Sequence, residues 1–220
     1  MKKKKTLYEN LLKFRKTKVK LGYRSGYAFL NNPKYLGMTL SRYKFVSRMF
    51  EGYDQVLEIG AGDGFKSLIV ETSCKNLTLS DIDSRDITAF KKDYSKISNA
   101  NFIKHDFVKS KLNKKFQGIY ALDVLEHVHP SKEQKFLKNV LDSLLKTGSL
   151  IIGIPSLESQ KYASPLSKKY HVNCKSKSEL KKFLSKYFNS VFMFSMNDEV
   201  LHTGFDQMSH YIIAIATNKK

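Results

Sequence analysis

The residues best placed to do chemistry are acidic side chains standing at the ends of short apolar runs. The first run, Val56-Leu57-Glu58-Ile59, breaks into Gly60-Ala61-Gly62-Asp63-Gly64. Glycines at the carboxyl end of a strand permit positive φ and let a ligand approach the backbone, which is where open α/β sheets bind their ligands. The spacing is G-x-G-x-G, and Phe65 stands where a dinucleotide fingerprint requires its third glycine. A diphosphate also needs positive potential, whereas Glu58 and Asp63 flank the loop with carboxylates. The expected ligand is therefore nucleotide-like but positively charged. S-adenosylmethionine (SAM), with an ammonium and a sulfonium group, meets that description.

Two further acids follow in order. Leu77-Thr78-Leu79-Ser80-Asp81 ends in a carboxylate 21 residues after Gly60, a separation that suits acceptance of both ribose hydroxyl protons of an adenosine. The competing role is a helix cap by Ser80, Asp81 or Asp83. Asn101-Phe102-Ile103-Lys104-His105-Asp106-Phe107 ends the same way; Asp106 can accept the adenine amino proton and Phe107 can pack on the ring face. Methyl transfer from a sulfonium is a displacement in which alignment supplies most of the acceleration, and a base is needed only when the acceptor must lose a proton. The candidate bases are Asp123, His127, His129, His171 and His202. His127 is also suited to holding a strand-to-helix turn, and His171 lies in a polar insertion, 162–173, placed to contact substrate. No metal-ligand set is read from these spacings.

These side chains need a scaffold that brings strand ends together. From Gln55 onward β-rich runs alternate with amphipathic segments. The runs are 56–59, 77–79, 101–103, 118–122, 150–154, 191–195 and 211–216; the helices are expected at 66–71, 84–94, 131–146 and 176–187. Phe136, Leu137, Val140, Leu141, Leu144 and Leu145 supply one apolar helical face. Such alternation implies an α/β fold with a parallel sheet covered on both faces. The link 197–209 reads as a loop, too short for a crossover, so the last strand is expected to be antiparallel. Residues 1–50 form a basic, aromatic extension ahead of a domain at 51–220. In it we expect a helix near 7–19, a glycine-containing bend at 21–33, and a helix from Thr39 or Ser41 to Phe50, with Ser41 as a candidate cap.

With these motifs in place, the stretch 54–217 resembles the class I SAM-dependent methyltransferases, in particular the small-molecule branch that includes ubiquinone-biosynthesis-type O-methyltransferases. The resemblance implies a Rossmann-like, seven-stranded, mostly parallel sheet of order 3-2-1-4-5-7-6 with an antiparallel last strand and helices on both faces. It further implies that Gly60, Ala61 and Gly62 cradle the methionine moiety above Glu58, that Asp81 with Ile82 and Asp106 with Phe107 hold the adenosine, and that Leu122 lies at the cofactor. The product would be S-adenosylhomocysteine (SAH). The run Ile119-Tyr120-Ala121-Leu122-Asp123-Val124-Leu125-Glu126-His127-Val128 resembles the fourth strand and the Leu-Glu-His-Val turn of that branch. The Asn-Pro-Pro-Tyr turn of enzymes that methylate amino groups of nucleic acids or proteins is replaced here by Leu122-Asp123-Val124-Leu125, which disfavours base N-methylation. The segment 194–205 is similar to one in bacterial methyltransferases found among surface-polysaccharide genes, favouring a sugar or nucleotide-sugar acceptor.

Composition bounds the partners. The net charge is +19, and residues 1–48 carry 14 Lys or Arg against Glu9 alone. A nucleic-acid partner is one reading, and RNA methylation is the corresponding alternative function. Only five of the 39 basic residues are arginine, however, and phosphate and base recognition favours the arginine fork. The basic, aromatic N-terminus suits a small anionic acceptor equally well, with rings stacking and cations meeting phosphate. A third alternative is a SAM-binding module without chemistry, since no base stands out. Apolar stretches are far shorter than the roughly 20 residues of a membrane span, and no signal-peptide core follows the opening lysines, so no membrane insertion and a cytoplasmic location are expected. Cys74 and Cys174 are 100 positions apart and suggest two reduced thiols. Nothing in the sequence signals an oligomeric state.

Overall fold

The computed structural model describes residues 19–220, together with Glu9 and Leu12. The helix expected near 7–19 lies largely outside the described residues. The remaining chain builds a single eight-stranded sheet of order β3-β2-β1-β4-β5-β8-β6-β7. Its strands are β1 (Gln55–Ile59), β2 (Asn76–Asp81), β3 (Asn101–Lys104), β4 (Phe116–Leu122), β5 (Leu144–Pro155), β6 (Phe188–Asn197), β7 (Val200–His202) and β8 (Tyr211–Lys219). β1 to β5 pair in parallel, while β8 runs antiparallel to both β5 and β6. The expected α/β fold with its antiparallel return is thus the observed one.

The helices are α1 (Tyr23–Asn31), α2 (Pro33–Met49), α3 (Leu68–Glu71), α4 (Ser84–Tyr94), α5 (Pro130–Asp142), α6 (Pro165–Tyr170) and α7 (Lys177–Ser185). The two-residue period of each strand divides their cores. Leu57 and Ile59 of β1, Ile119 and Ala121 of β4, and Ile152 and Ile154 of β5 enter one cluster with Phe136, Leu137 and Val140 of α5 and Leu180 of α7. Val56, Tyr120, Leu122 and Ile151 face the other way, against Tyr43, Val46 and Phe50 of α2 and Phe90 of α4. Both faces being covered explains why the central strands read as continuous apolar runs.

Several expectations are corrected. The supposed bend at 21–33 is helix α1. The helix expected to begin at Thr39 or Ser41 begins at Pro33: Asn32 caps it by accepting the Tyr35 N–H, and Pro33 fits the first helical position. Ser41 lies inside that helix, its hydroxyl donating to the Gly37 carbonyl. The helix expected to reach Lys146 stops at Asp142, because Leu144 pairs with Phe116 as the first residue of β5. The polar insertion 162–173 contains α6. The sheet has eight strands rather than seven: in the segment read as a loop, Asn197 pairs with Val200 around a two-residue turn with Asp198 at φ 49°, which adds β7 as an edge.

Candidate active site

Register puts the functional strand ends level. Ile59 lies opposite Ser80 on one side and Ala121 on the other, and Asp81 lies opposite Lys104. The loop after β1 and the ends of β2 and β4 therefore open on one cavity of about 700 Å³. Gly60 adopts φ 76°, and a Cβ there would stand 2.4 Å from Val124 Cγ2, so the turn requires glycine. The N–H groups of Gly60 and Ala61 both donate to the Ser80 carbonyl, at 2.8 and 3.1 Å, stapling the loop to β2.

The expected cofactor residues gather around this cavity. Gly60, Ala61, Gly62, Asp81, Ile82, Asp106, Phe107 and Leu122 line it. Asp81 accepts from Gly62 N–H at 2.9 Å and from Asp83 N–H at 3.0 Å. The cap of α4 is Asp83, which accepts from Arg85 N–H, so Asp81 is spared that duty. Each carboxylate oxygen has two lone pairs, and both Asp81 oxygens keep acceptor capacity. Asp106 accepts from Val108 N–H at 2.9 Å. Glu58 lies beneath the loop and is fully buried, taking hydrogen bonds from the Tyr43 and Tyr120 hydroxyls at 2.8 and 2.6 Å. Burial raises its carboxyl above the ordinary range.

Two sequence readings change. Asp63 is not a charge offered to the ligand: its carboxylate accepts from the Ser25 N–H at 2.8 Å and the Ser25 hydroxyl at 3.1 Å, so it pins the start of α1. Gly22, at φ 76°, is needed there, because a Cβ would meet the Asp63 carboxylate at 2.5 Å. Phe107 does not present an open ring face. It is buried within the core cluster of Leu57 and Phe136, and the exposed apolar residue on the lining is Ile82.

At the end of β4, Asp123 holds the left-handed φ of 58° that aspartate tolerates. Its carboxylate receives Arg42 Nη1 at 3.1 and 3.0 Å. Arg42 is itself buried, with its guanidinium 3.6 Å from the centre of the Tyr211 ring. Asp123 is thus engaged by Arg42. His127 lines the cavity and His171 does not, yet their rings lie 5.1 Å apart because α6 folds back over the turn. His127 Nδ1 is 3.0 Å from the Tyr170 carbonyl, and His171 Nδ1 is 3.1 Å from Gln160 Oε1. Both partners can only accept, so each Nδ1 donates. Burial, then the neighbouring His127, lowers the His171 pKa, favouring the neutral ring. His129 caps α5, and His202 bridges Asn197 and Gly204; both are occupied structurally.

The sequence reading missed three groups. Arg42 and Arg24 enter the sequence reading only through the charge of the N-terminal segment, but Arg24 grips Asp86 at 3.0 and 2.8 Å while lining the cavity beside Gly62. Glu126 was noted only as part of a turn. It is fully buried, neither carboxylate oxygen has a hydrogen-bond partner among the described residues, and burial followed by the charge of Asp123 pushes its pKa well above the ordinary value. Its place beside His127 was the one available signal.

Residues 56–148 match a family described as a methyltransferase domain. These residues form a methyltransferase domain. Solved structures of similar fold include the N-methyltransferase NodS from Bradyrhizobium japonicum WM9 in complex with SAH. It is 16% identical, with a TM-score of 0.66, over 86% of this chain and 90% of that one. The methyltransferase domain of bacterial CtHen1-C is 15% identical, with a TM-score of 0.67, over 82% and 98% of the two chains. The plantazolicin methyltransferase BpumL in complex with SAH is 15% identical, with a TM-score of 0.66, over 88% of each. At such identities the likeness is one of fold. No curated protein matches the enzyme by sequence. Among the described residues no helix is long and apolar enough to cross a membrane, and Cys74 and Cys174 are free thiols.

Proposed function

We propose that the enzyme methylates an oxygen or nitrogen atom of a small, anionic metabolite of the sugar or nucleotide-sugar kind. The observation that carries this reading is the size and lining of the cavity. At about 700 Å³ it is within the usual range of small-molecule pockets, roughly 300–1,000 Å³, enough for a nucleoside-sized cofactor and a compact acceptor together. Lys66 and Lys132 add ammonium groups to its lining, a complement for a phosphate or carboxylate.

In this reading Gly60, Ala61 and Gly62 hold the methionine part of SAM. Asp81 accepts from the ribose hydroxyls, and Asp106 and Ile82 meet the adenine. Bound SAM supplies an electrophilic methyl group. The chain's own work is alignment, which can be worth several orders of magnitude in rate, and shielding by Leu122 and Val124 at the cavity wall. His127, and His171 behind it, would face the acceptor. The basic segment 1–50 would serve as a lid or substrate-binding extension; within it Lys20, Arg24 and Arg42 are engaged by Asp93, Asp86 and Asp123.

The test is transfer of labelled methyl groups from SAM to a panel of sugar phosphates and nucleotide sugars, with cellular RNA in parallel. Label in a small molecule is the expected result. Label confined to RNA, with affinity falling steeply as salt rises, would replace this reading by an RNA methyltransferase.

A further inference from the structure

The two margins of the sheet are protected unequally. A strand edge presents unpaired N–H and C=O groups, and proteins blunt it with short strands, lysine, proline or bulges. At one margin β3 is four residues long and ends in Lys104. At the other, β7 covers β6 only from Ser195 to Asn197. The inner side of β6 pairs with β8 from Phe188 to Met196. Its outer side from Phe188 to Phe194 has no strand beside it among the described residues. That open stretch, Phe188-Asn189-Ser190-Val191-Phe192-Met193-Phe194, contains no charged residue, no glycine and no proline.

The face beside this edge is incompletely covered as well. Phe194 packs edge-on against Phe45 of α2, with ring centres 5.3 Å apart. Phe192 lies on the same side of the strand but is 57% exposed, and Met49, one turn beyond Phe45, is 41% exposed. Helix α2 runs down the sheet from Arg42 at Asp123 to Phe50 at Gly118. Register carries Phe194 level with Leu122 and Phe192 level with Tyr120, so Met49 and Phe192 both lie below the Phe45–Phe194 contact. The ends of the open stretch carry opposite charges. Exposed Lys186 precedes it, and exposed Asp198 and Glu199 form the turn just past it.

We propose that two copies of the chain pair through this edge, β6 against β6 in antiparallel, about a twofold axis at Val191, the middle of the open stretch. A strand laid antiparallel on itself is self-complementary, as a twofold interface requires. The outward N–H and C=O groups of each copy then gain partners in a ladder. Phe192 stands opposite Ser190 of the second copy and diagonal to its Phe192, within reach for aromatic rings, so the two exposed rings cover each other. Lys186 of each copy is carried toward Asp198 and Glu199 of the other, which places opposite charges at both ends of a neutral seam. Two chains of net charge +19 repel across their lysine-bearing surfaces, and an uncharged strand is where they can meet. Pairing stops at Phe188, because the next residue, Tyr187, would stand opposite Ser195, where β7 begins. The twofold turns the two cavities to opposite ends of the joined sheet, so association does not depend on the proposed acceptor.

The experiment is sedimentation equilibrium of the full chain across the micromolar range, without SAM or acceptor, with amide hydrogen exchange of 188–194 followed at the lowest and highest concentrations. The mass should rise with concentration to twice the 25.4 kDa of the chain, and the amides of the open stretch should exchange more slowly as it does. Phe192→Lys and Asn189→Lys, both at exposed positions, place a charge on the edge as natural edge strands do. Each should weaken dimerisation at least about thirtyfold, with circular dichroism and SAH affinity unchanged. Exchange in the wild-type chain is a readout independent of how the variants fold. Three results would overturn the proposal: a monomer throughout the micromolar range, a dimer of undiminished affinity in both variants, or protection of 188–194 that does not change with concentration, as cover by residues 1–18 of the same chain would give.

Discussion

Replacing Asp63 separates two roles for the acid in the glycine loop: ligand contact or anchor. The structure assigns it to anchoring α1, through Ser25 N–H at 2.8 Å and Ser25 Oγ at 3.1 Å, with Phe65 N–H as a third donor at 3.2 Å. Asp63 and Ser25 are both buried, so water cannot replace the lost acceptor in Asp63→Ala. Hydrogen bonds to a charged group are worth about 1.5–3 kcal/mol each. Counting the two Ser25 bonds at the low end, since a hydroxyl can turn to another partner, gives a loss of about 3 kcal/mol. That is a large fraction of the ~5–15 kcal/mol that holds a typical domain. Ser25→Ala removes only the hydroxyl and should cost about 1 kcal/mol. Urea unfolding of the two single variants and the double variant gives the coupling, expected above about 0.5 kcal/mol for residues in contact. SAH calorimetry on the folded variants gives the second axis: affinity should fall modestly, as the cradle loses its backing. Asp63→Ala with stability within about 0.5 kcal/mol of wild type but a large loss of SAH affinity would refute the anchoring argument and return Asp63 to the ligand.

Asp81→Ala should abolish SAH binding in calorimetry while leaving the circular dichroism spectrum intact; unchanged affinity would remove the ribose assignment. Stability should decline with rising pH because of Glu126. Its folded pKa is raised above the ordinary 4.5, so above pH 4.5 the unfolded chain releases a proton that the folded chain retains. Stability then falls by up to about 1.4 kcal/mol per pH unit until the folded pKa is reached, and levels beyond it. Glu126→Gln, which cannot ionise, should lack this slope, converging on wild-type behaviour below pH 4.5; identical pH profiles would contradict the buried, protonated carboxyl.

What could be read from the sequence was what is decided locally. The strands from β1 to β5, helix α4 and the acids at the strand ends are each announced by a few consecutive residues, and the cavity collects those acids as expected. What could not be read depends on partners distant in sequence. Helix α1 contains Gly26 and follows Gly22; a glycine inside a helix costs about 1 kcal/mol, so propensity argues for a bend. The helix is held instead by Asp63 at its first turn and by Tyr23 and Arg24 on the buried Asp86. The same distance hid the contacts at the end of β4. Arg42 and Asp123 lie 81 residues apart, and His171 meets His127 only because α6 returns the chain across the turn. Asp63 was misassigned for that reason as well: a carboxylate beside a glycine loop suggests a cationic ligand until the helix that consumes it is known. Sign of charge near a loop is therefore weaker guidance to a ligand than unspent hydrogen-bonding capacity. By that measure Asp81 and Asp106, each lining the cavity with lone pairs to spare, are better pointers to a ligand than Asp63, whose acceptors are spent on Ser25 and Phe65.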